Sequence, residues 1–460
     1  MIAAAALAVF AALRWKEESE RIVDPRPPGT AEDIAKLSQR KDVNVLFVLI
    51  DTLRAERLRT YGYRRPTSPF LDVLASQGLR FGRHLSQSSW TKCSMASLWT
   101  GLYPQRSGVT RFDDVIPQEA VTAAEVFHEA GFRTAGIWRN GWVESYFGFD
   151  QGFEVYTRPR SRAVPDDVRR QNPTVQHGGS DMDGVDVAAE FLRVYGHDRW
   201  FLYLHLMDVH EYTYGAESAR FGTGYADVYD NAILHVNGVL DALLGVLYRG
   251  GFLANTLIII GSDHGEAFGE RGTEGHARNV YRETTEVPLV FGFPFRLAVP
   301  AVVRQRTANV DLWPTVLELL GLPPLEGADG RSRVPEMLAA ARGEPGPEDT
   351  ATPIAHLDQT WGQRVETTAP NVTVSDRGFR YVLFRDAKGG AREELFDADH
   401  DAVELENRLE AEPEVAERLR EQAVLYLASK PPWKEAAPKL ELDELQLNQL
   451  RALGYAVPAK

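Results

Sequence analysis

The stretch VNVLFVLID (43–51) is a continuous apolar, β-branched run that ends in an acid. A strand exposed on one face would alternate apolar and polar residues, so an unbroken run predicts a parallel strand buried on both faces. Three further runs have the same character: FRTAGIW (132–138), WFLYLHLMD (200–208) and NTLIIIGSD (255–263). Helix-like stretches separate them at 68–78, 119–131 and 229–251, the last ending at Gly250-Gly251. Strands alternating with helices predict an α/β fold, a mostly parallel central sheet covered by helices on both faces. In such sheets ligands bind beyond the carboxyl ends of the strands. An acid that closes a strand is therefore placed for chemistry.

The 460 residues exceed what one hydrophobic core usually supports, which predicts a large domain and a smaller one. We divide the chain into an apolar signal or anchor remnant (1–15), a linker (16–41), a catalytic domain (42–355), a C-terminal subdomain (356–428) and a tail with a docking helix (429–460). The apolar N-terminal run of about 13 residues spans roughly 20 Å as a helix, short of the ~30 Å hydrocarbon core. We expect export, to the periplasm or the outer face of a membrane, with membrane contact only through this segment. Region 371–397 reads as antiparallel strands around a Lys-Gly-Gly turn, and 157–181 as a long Arg- and Pro-rich loop. A net charge of −14 argues against nucleic acid as the partner, because phosphate backbones require basic surface. The single cysteine, Cys93, excludes an intrachain disulfide.

Three strand ends supply acids and imidazoles: IDTLR (Asp51), LMDVH (Asp208, His210) and GSDHGE (Asp263, His264, Glu266). EGHARNVY adds His276. Carboxylate with imidazole suits Mn²⁺ or Zn²⁺, whereas an all-oxygen set would suit Ca²⁺ or Mg²⁺.

Over roughly residues 42–425 the chain resembles sulfatase-type members of the alkaline phosphatase superfamily. The resemblance rests on NVLFVLIDTLRAERLRTYGY, SSWTKCSMASLWTGLYPQRSGV, FLYLHLMDVHEYTY, NTLIIIGSDHGEAFGERG and ELFDADHDAVELENRL. It implies a three-layer αβα sandwich with a small C-terminal antiparallel sheet. It also implies one divalent metal on Asp51, Asp263 and His264 with Thr91 beside it, and His210 and His276 at the transferred or leaving group. Lys92, Arg139 and Asn140 are the substrate contacts expected from position. Thr52 stands where many sulfatases carry a second acid, and Trp138-Arg139-Asn140 stands near their GKWH.

The family's nucleophile motif runs C-x-P-S-R-x-x-x-x-T-G. Counting back from Thr100-Gly101 puts Thr91 at the cysteine's place and Cys93 where the family has Pro or Ala. Starting the motif at Cys93 fails, because Met95 and Ser97 would have to be Pro and Arg. Cys93 is thus expected to be a buried bystander, and no formylglycine is expected. A threonine alkoxide has no aldehyde-hydrate exit, so its covalent intermediate must be released by in-line attack of water or an acceptor. That route is accessible for phosphorus. The resemblance thus implies a metal-dependent hydrolase of phosphate or phosphonate esters of a small molecule, glycan or lipid. The alternatives are a sulfuric ester hydrolase, a phospho-group transferase, and an inert binding protein of the same fold.

Overall fold

The computed structural model describes residues 24–160, 179–434 and 436–451. The apolar run at 1–15 and most of the loop at 157–181 lie outside them. The central sheet has eight strands: β1 (Asn44–Ile50), β2 (Leu79–Leu85), β3 (Arg133–Ile137), β4 (Val155–Thr157), β5 (Trp200–Leu206), β6 (Thr256–Gly261), β7 (Leu289–Gly292) and β8 (Ala301–Ala308). Their order is β8-β2-β7-β6-β1-β5-β3-β4, and all neighbours pair parallel except β7, which runs antiparallel to β2 and β6. The four apolar runs of the sequence are thus β1, β3, β5 and β6.

Side chains leave a strand on alternate faces, so each run feeds two cores. Val45, Phe47 and Leu49 join one apolar cluster; Leu46, Val48 and Ile50 join the other. The first cluster is closed by helices Thr91–Thr100, Ala123–Glu129 and Leu312–Leu319. The second is closed by Pro69–Ser76, Asp181–Tyr195 and Tyr225–Arg249. This is the three-layer arrangement anticipated from the alternation of strands and helices.

A separate four-stranded antiparallel sheet follows, Ile354–Asp358, Pro370–Asp376, Phe379–Arg385 and Ala391–Asp397, with helix Pro413–Ala428 packed on it. The Lys388-Gly389-Gly390 turn joins the last two strands, and Asp386 accepts from Lys388 N and Gly390 N within it. The tail helix Glu444–Arg451 buries Leu447 and Leu450 against the body.

One boundary is corrected. The described part of the expected linker, residues 24–41, is built into the domain. Pro28–Gly29 pairs with Arg296–Leu297, and the helical turns at 31–39 seal Ile34 and Leu37 completely. Two apolar side chains at helical spacing outweighed the proline punctuation that suggested a linker.

Candidate active site

Strands β6, β1 and β5 lie side by side, and their carboxyl ends bring the polar residues together. Asp51 follows β1 directly and continues the phase of Val45, Phe47 and Leu49, which points it toward the layer holding helix Thr91–Thr100. Asp263 and His264 follow β6, and all three groups are fully buried.

Each carboxylate uses one oxygen on the protein and leaves the other. Asp51 Oδ2 accepts from Asn140 Nδ2 at 2.7 Å and from His205 Nε2 at 3.0 Å. Asp263 Oδ1 accepts from the backbone N–H of His264 at 2.9 Å and of Thr52 at 3.3 Å. Asp51 Oδ1 and Asp263 Oδ2 are buried with no hydrogen-bond partner. His264 Nε2 stands 3.8 Å from the first and 3.3 Å from the second. Its other nitrogen, Nδ1, lies 3.0 Å from the Gly265 carbonyl, which fixes the tautomer with Nε2 free to ligate. Two orphaned carboxylate oxygens and an aimed imidazole fit a divalent cation, since buried unpaired charge is otherwise costly.

Burial raises the Asp51 carboxyl, but His210, His205 and His264 outweigh it and hold the group well below the ordinary carboxylate range. Burial and the neighbouring Asp51 charge push Asp263 upward. Thr52, the residue between Asp51 and Leu53, holds φ 61°, a left-handed conformation costly for a β-branched side chain. That turn delivers its N–H to Asp263, while its hydroxyl donates to the Asp51 carbonyl at 2.6 Å and is turned away from the ion site.

Thr91 opens a helix whose ten residues are all buried and which ends at Gly101 with φ 67°. Its hydroxyl oxygen lies 3.1 Å from His264 Nε2 and 3.2 Å from Asn140 Nδ2. Cys93, two residues on, faces away, with Sγ 4.0 Å from the His356 carbonyl. Burial pushes its thiol up to about 12, so it carries no thiolate at neutral pH.

Across the site, the ring centroid of His276 lies 4.6 Å from that of His264 and 5.0 Å from that of His210. His276 Nδ1 is 2.9 Å from Glu266 Oε2; burial lowers its affinity for a proton, but the Glu266 charge more than restores it. Burial takes His210 the other way, to about 4, so it is neutral at physiological pH.

Of the nine residues expected at the site, seven converge. Lys92 does not. One helical step turns it into the core, where Nζ donates to the Phe112 carbonyl at 2.7 Å and stands 3.5 Å from the Phe147 ring centroid. Arg139 is close by but committed to Asp181, Asp208 and Glu211, so its charge is spent on carboxylates instead of substrate. His205 was missed by sequence reasoning. Its only signal is a histidine inside an otherwise apolar run, and the structure shows it held by the Tyr203 hydroxyl at 2.7 Å and donating to Asp51. Asp181 was missed too: at a helix start, it accepts from Met207 N, Asp208 N and Arg139. It thereby ties the loop of His210 to the loop of Asn140.

Comparison with known proteins agrees with this geometry. Residues 43–322 match the Sulfatase family. Steryl-sulfatase of Mus musculus is 24% identical over 429 residues, covering 69% of this chain and 67% of that protein. The ulvan-active sulfatase of Formosa agariphila is 25% identical over 328 residues, covering 62% and 63%. The chain thus spans about two thirds of the length of these relatives. Among solved structures, the phosphonate monoester hydrolase of Agrobacterium radiobacter superposes with a TM-score of 0.66 at 19% identity, over 84% of this chain and 95% of that one, a likeness of fold. The family match covers more than half of the chain, and the protein is a member of the sulfatase family, within the alkaline phosphatase-like superfamily.

Proposed function

We propose that the chain is a divalent-metal-dependent hydrolase of phosphate or phosphonate esters that uses Thr91 as its nucleophile. The observation that carries this reading is the position of the Thr91 hydroxyl, 3.1 Å from His264 Nε2 and beside the two orphaned carboxylate oxygens, while the Cys93 thiol is sealed in the core. Asp51, Asp263, His264 and Thr91 would hold the ion. This oxygen and nitrogen donor set favours Mn²⁺ or Zn²⁺ over Ca²⁺ or Mg²⁺. The chemistry the ion supplies there is acidification of the Thr91 hydroxyl and neutralisation of charge on the transferred group.

The chain's own residues account for the rest. Asn140 donates to Thr91 and to Asp51, orienting both. The Thr91 hydroxyl gives its proton to solvent and its oxygen bonds to phosphorus as the bond from phosphorus to the ester oxygen breaks, and the departing alcohol takes its proton from His276, whose hold on that proton Glu266 strengthens. In the second half a water oxygen bonds to phosphorus, its proton returns to His276, and the bond to Thr91 breaks as the Thr91 oxygen takes a proton back from solvent. The substrate would be a small-molecule or glycan ester met outside the cytoplasm.

Sulfuric ester hydrolysis is the second reading, favoured by the names of the curated relatives. Turnover of aryl phosphate, aryl phosphonate and aryl sulfate esters, compared in Mn²⁺ and in Zn²⁺, separates the two. Phosphorus esters cleaved faster than the sulfate support the first reading; turnover of the sulfate alone rejects it.

A further inference from the structure

Asp51 and Asp263 each present one free oxygen to the ion site, but they are restrained by different means. Asp263 Oδ1 is held by two backbone N–H groups, of His264 and Thr52. Asp51 Oδ2 is held by two side chains, Asn140 at 2.7 Å and His205 at 3.0 Å. The reaction proposed above gives His205 no part.

Strand register places His205 there. β5 pairs with β1 in parallel, Phe47 beside Tyr203 and Leu49 beside His205, and the Asp51 N–H donates to the Leu206 carbonyl at 3.0 Å. Side chains two positions apart share a face, so Phe47, Leu49 and Asp51 on one strand run alongside Tyr203 and His205 on the next. A polar ring inside an apolar strand is costly unless its nitrogens are used, and both are. A carboxylate only accepts, so Nε2 carries the ring proton toward Asp51, and Nδ1 is left to accept from the Tyr203 hydroxyl at 2.7 Å. Tyr203 is fixed in turn: its ring stacks on Phe47 at 5.7 Å and meets Trp99 edge-on at 5.0 Å. Tyr203, His205 and Asp51 are all sealed from water.

We propose that the Tyr203–His205 pair is a positioning device that restricts Asp51 to ligation through one oxygen and thereby selects the metal. With Asn140 and His205 both donating to Oδ2, the lone pairs of that oxygen are engaged and Oδ1 alone is left for an ion. Zn²⁺ takes few ligands and accepts single carboxylate oxygens, whereas Ca²⁺ takes many and often binds carboxylates through both. Loss of the His205 donor frees a lone pair on Oδ2, which loosens the site for Zn²⁺ and improves it for Ca²⁺. The inference rests on the metal site of the proposed function and goes further, assigning selectivity among ions to a residue that is not itself one of the proposed ligands.

The test is calorimetric titration of Zn²⁺ and of Ca²⁺ into full-length, metal-stripped protein without substrate, so the outcome is independent of which ester is cleaved. The parent binds Zn²⁺ more tightly than Ca²⁺. Partners of metal ligands are worth about 10- to 100-fold in affinity, so His205→Leu lowers the Zn²⁺ to Ca²⁺ affinity ratio by at least about tenfold. His205→Gln, whose amide can still donate to Asp51, restores most of the ratio, and Tyr203→Phe, which keeps the ring and loses the hydroxyl, lowers it a few-fold. Trp99→Phe disturbs the packing against Tyr203 without touching the hydrogen bonds, so it lowers the melting temperature and leaves the ratio at the parent value. An unchanged ratio in His205→Leu, no recovery in His205→Gln, or an equal change in Trp99→Phe overturns the inference while the metal site stands. A parent that binds neither ion overturns the metal site and the inference together.

Discussion

Asn140 offers a substitution whose outcome can be ordered from geometry. Its Oδ1 accepts from Trp142 N at 2.9 Å and caps the turn that follows β3, while its Nδ2 donates to Asp51 Oδ2 at 2.7 Å and to Thr91 Oγ1 at 3.2 Å. Asn140→Ala removes cap and donor together. Loss of a hydrogen bond to a buried charged group costs about 1.5–3 kcal/mol, so kcat/KM falls roughly 10- to 150-fold. Asn140→Asp keeps the cap and the shape but places oxygen where the donor was. Two carboxylate oxygens 2.7 Å apart repel with a ceiling near 6 kcal/mol at an effective dielectric of about 20, so the pair takes up a proton instead. A shared proton restores one bond to Asp51, leaves Thr91 without its donor and removes one of the charges that hold the site. Asn140→Asp is therefore less active than Asn140→Ala at neutral pH, although its melting temperature is the higher of the two. Its deficit grows as pH rises and the shared proton is lost. The assay is kcat/KM on an aryl phosphate between pH 5.5 and 9, with melting curves alongside. Wild-type activity in Asn140→Asp, or an Ala variant without loss, refutes the role given to this amide.

Three further outcomes follow from the same structure. Burial and the Asp181 charge, against the pull of Arg139, raise the Asp208 carboxyl to about 7. A carboxyl held above its unfolded value of about 3.9 contributes stability that is present below pH 4 and lost as pH rises through 7, so wild type weakens by roughly 2–4 kcal/mol across that window and Asp208→Asn weakens less; melting curves at pH 4.5 and 8 read the difference. Chelation of the divalent ion leaves Asp51 Oδ1 and Asp263 Oδ2 buried and unpaired, so activity and melting temperature fall together and Mn²⁺ or Zn²⁺ restores both more fully than Ca²⁺. Trp99 stacks on Trp313 at 5.1 Å and meets Tyr203 edge-on at 5.0 Å, joining helix Thr91–Thr100 to the sheet. Trp99→Ala is expected to cost about 3–5 kcal/mol by denaturant titration, because no neighbour can collapse into so large a void.

The fold was legible wherever one pattern acted alone. An unbroken apolar run has a single cheap solution, a strand covered on both faces, and β1, β3, β5 and β6 fell where those runs are. Asp51, Asp263 and His264 were legible because a charged residue closing such a run has to sit at the sheet's carboxyl edge. Lys92 and Arg139 were misplaced because sequence position does not say which way a side chain turns. One step along a helix separates the Thr91 hydroxyl at the site from the Lys92 ammonium in the core. Arg139 is captured by Asp181, 42 positions away in the chain, and a pairing of that range leaves no local mark. The N-terminal helical turns were hidden by prolines in front of them, and His205 by its apolar neighbours.

The central claim is that Thr91, and not Cys93, forms the bond to the transferred group. Peptide mass spectrometry after rapid acid quench, on protein turning over a phosphate or phosphonate monoester in Mn²⁺, tests it most directly. The account predicts a phosphoryl or phosphonyl adduct on Thr91, an unmodified Cys93 thiol, no adduct in Thr91→Ala, and an active Cys93→Ala. An adduct on Cys93, oxidation of Cys93 to an aldehyde in the active protein, or a Thr91→Ala variant that turns over as fast as wild type would contradict it.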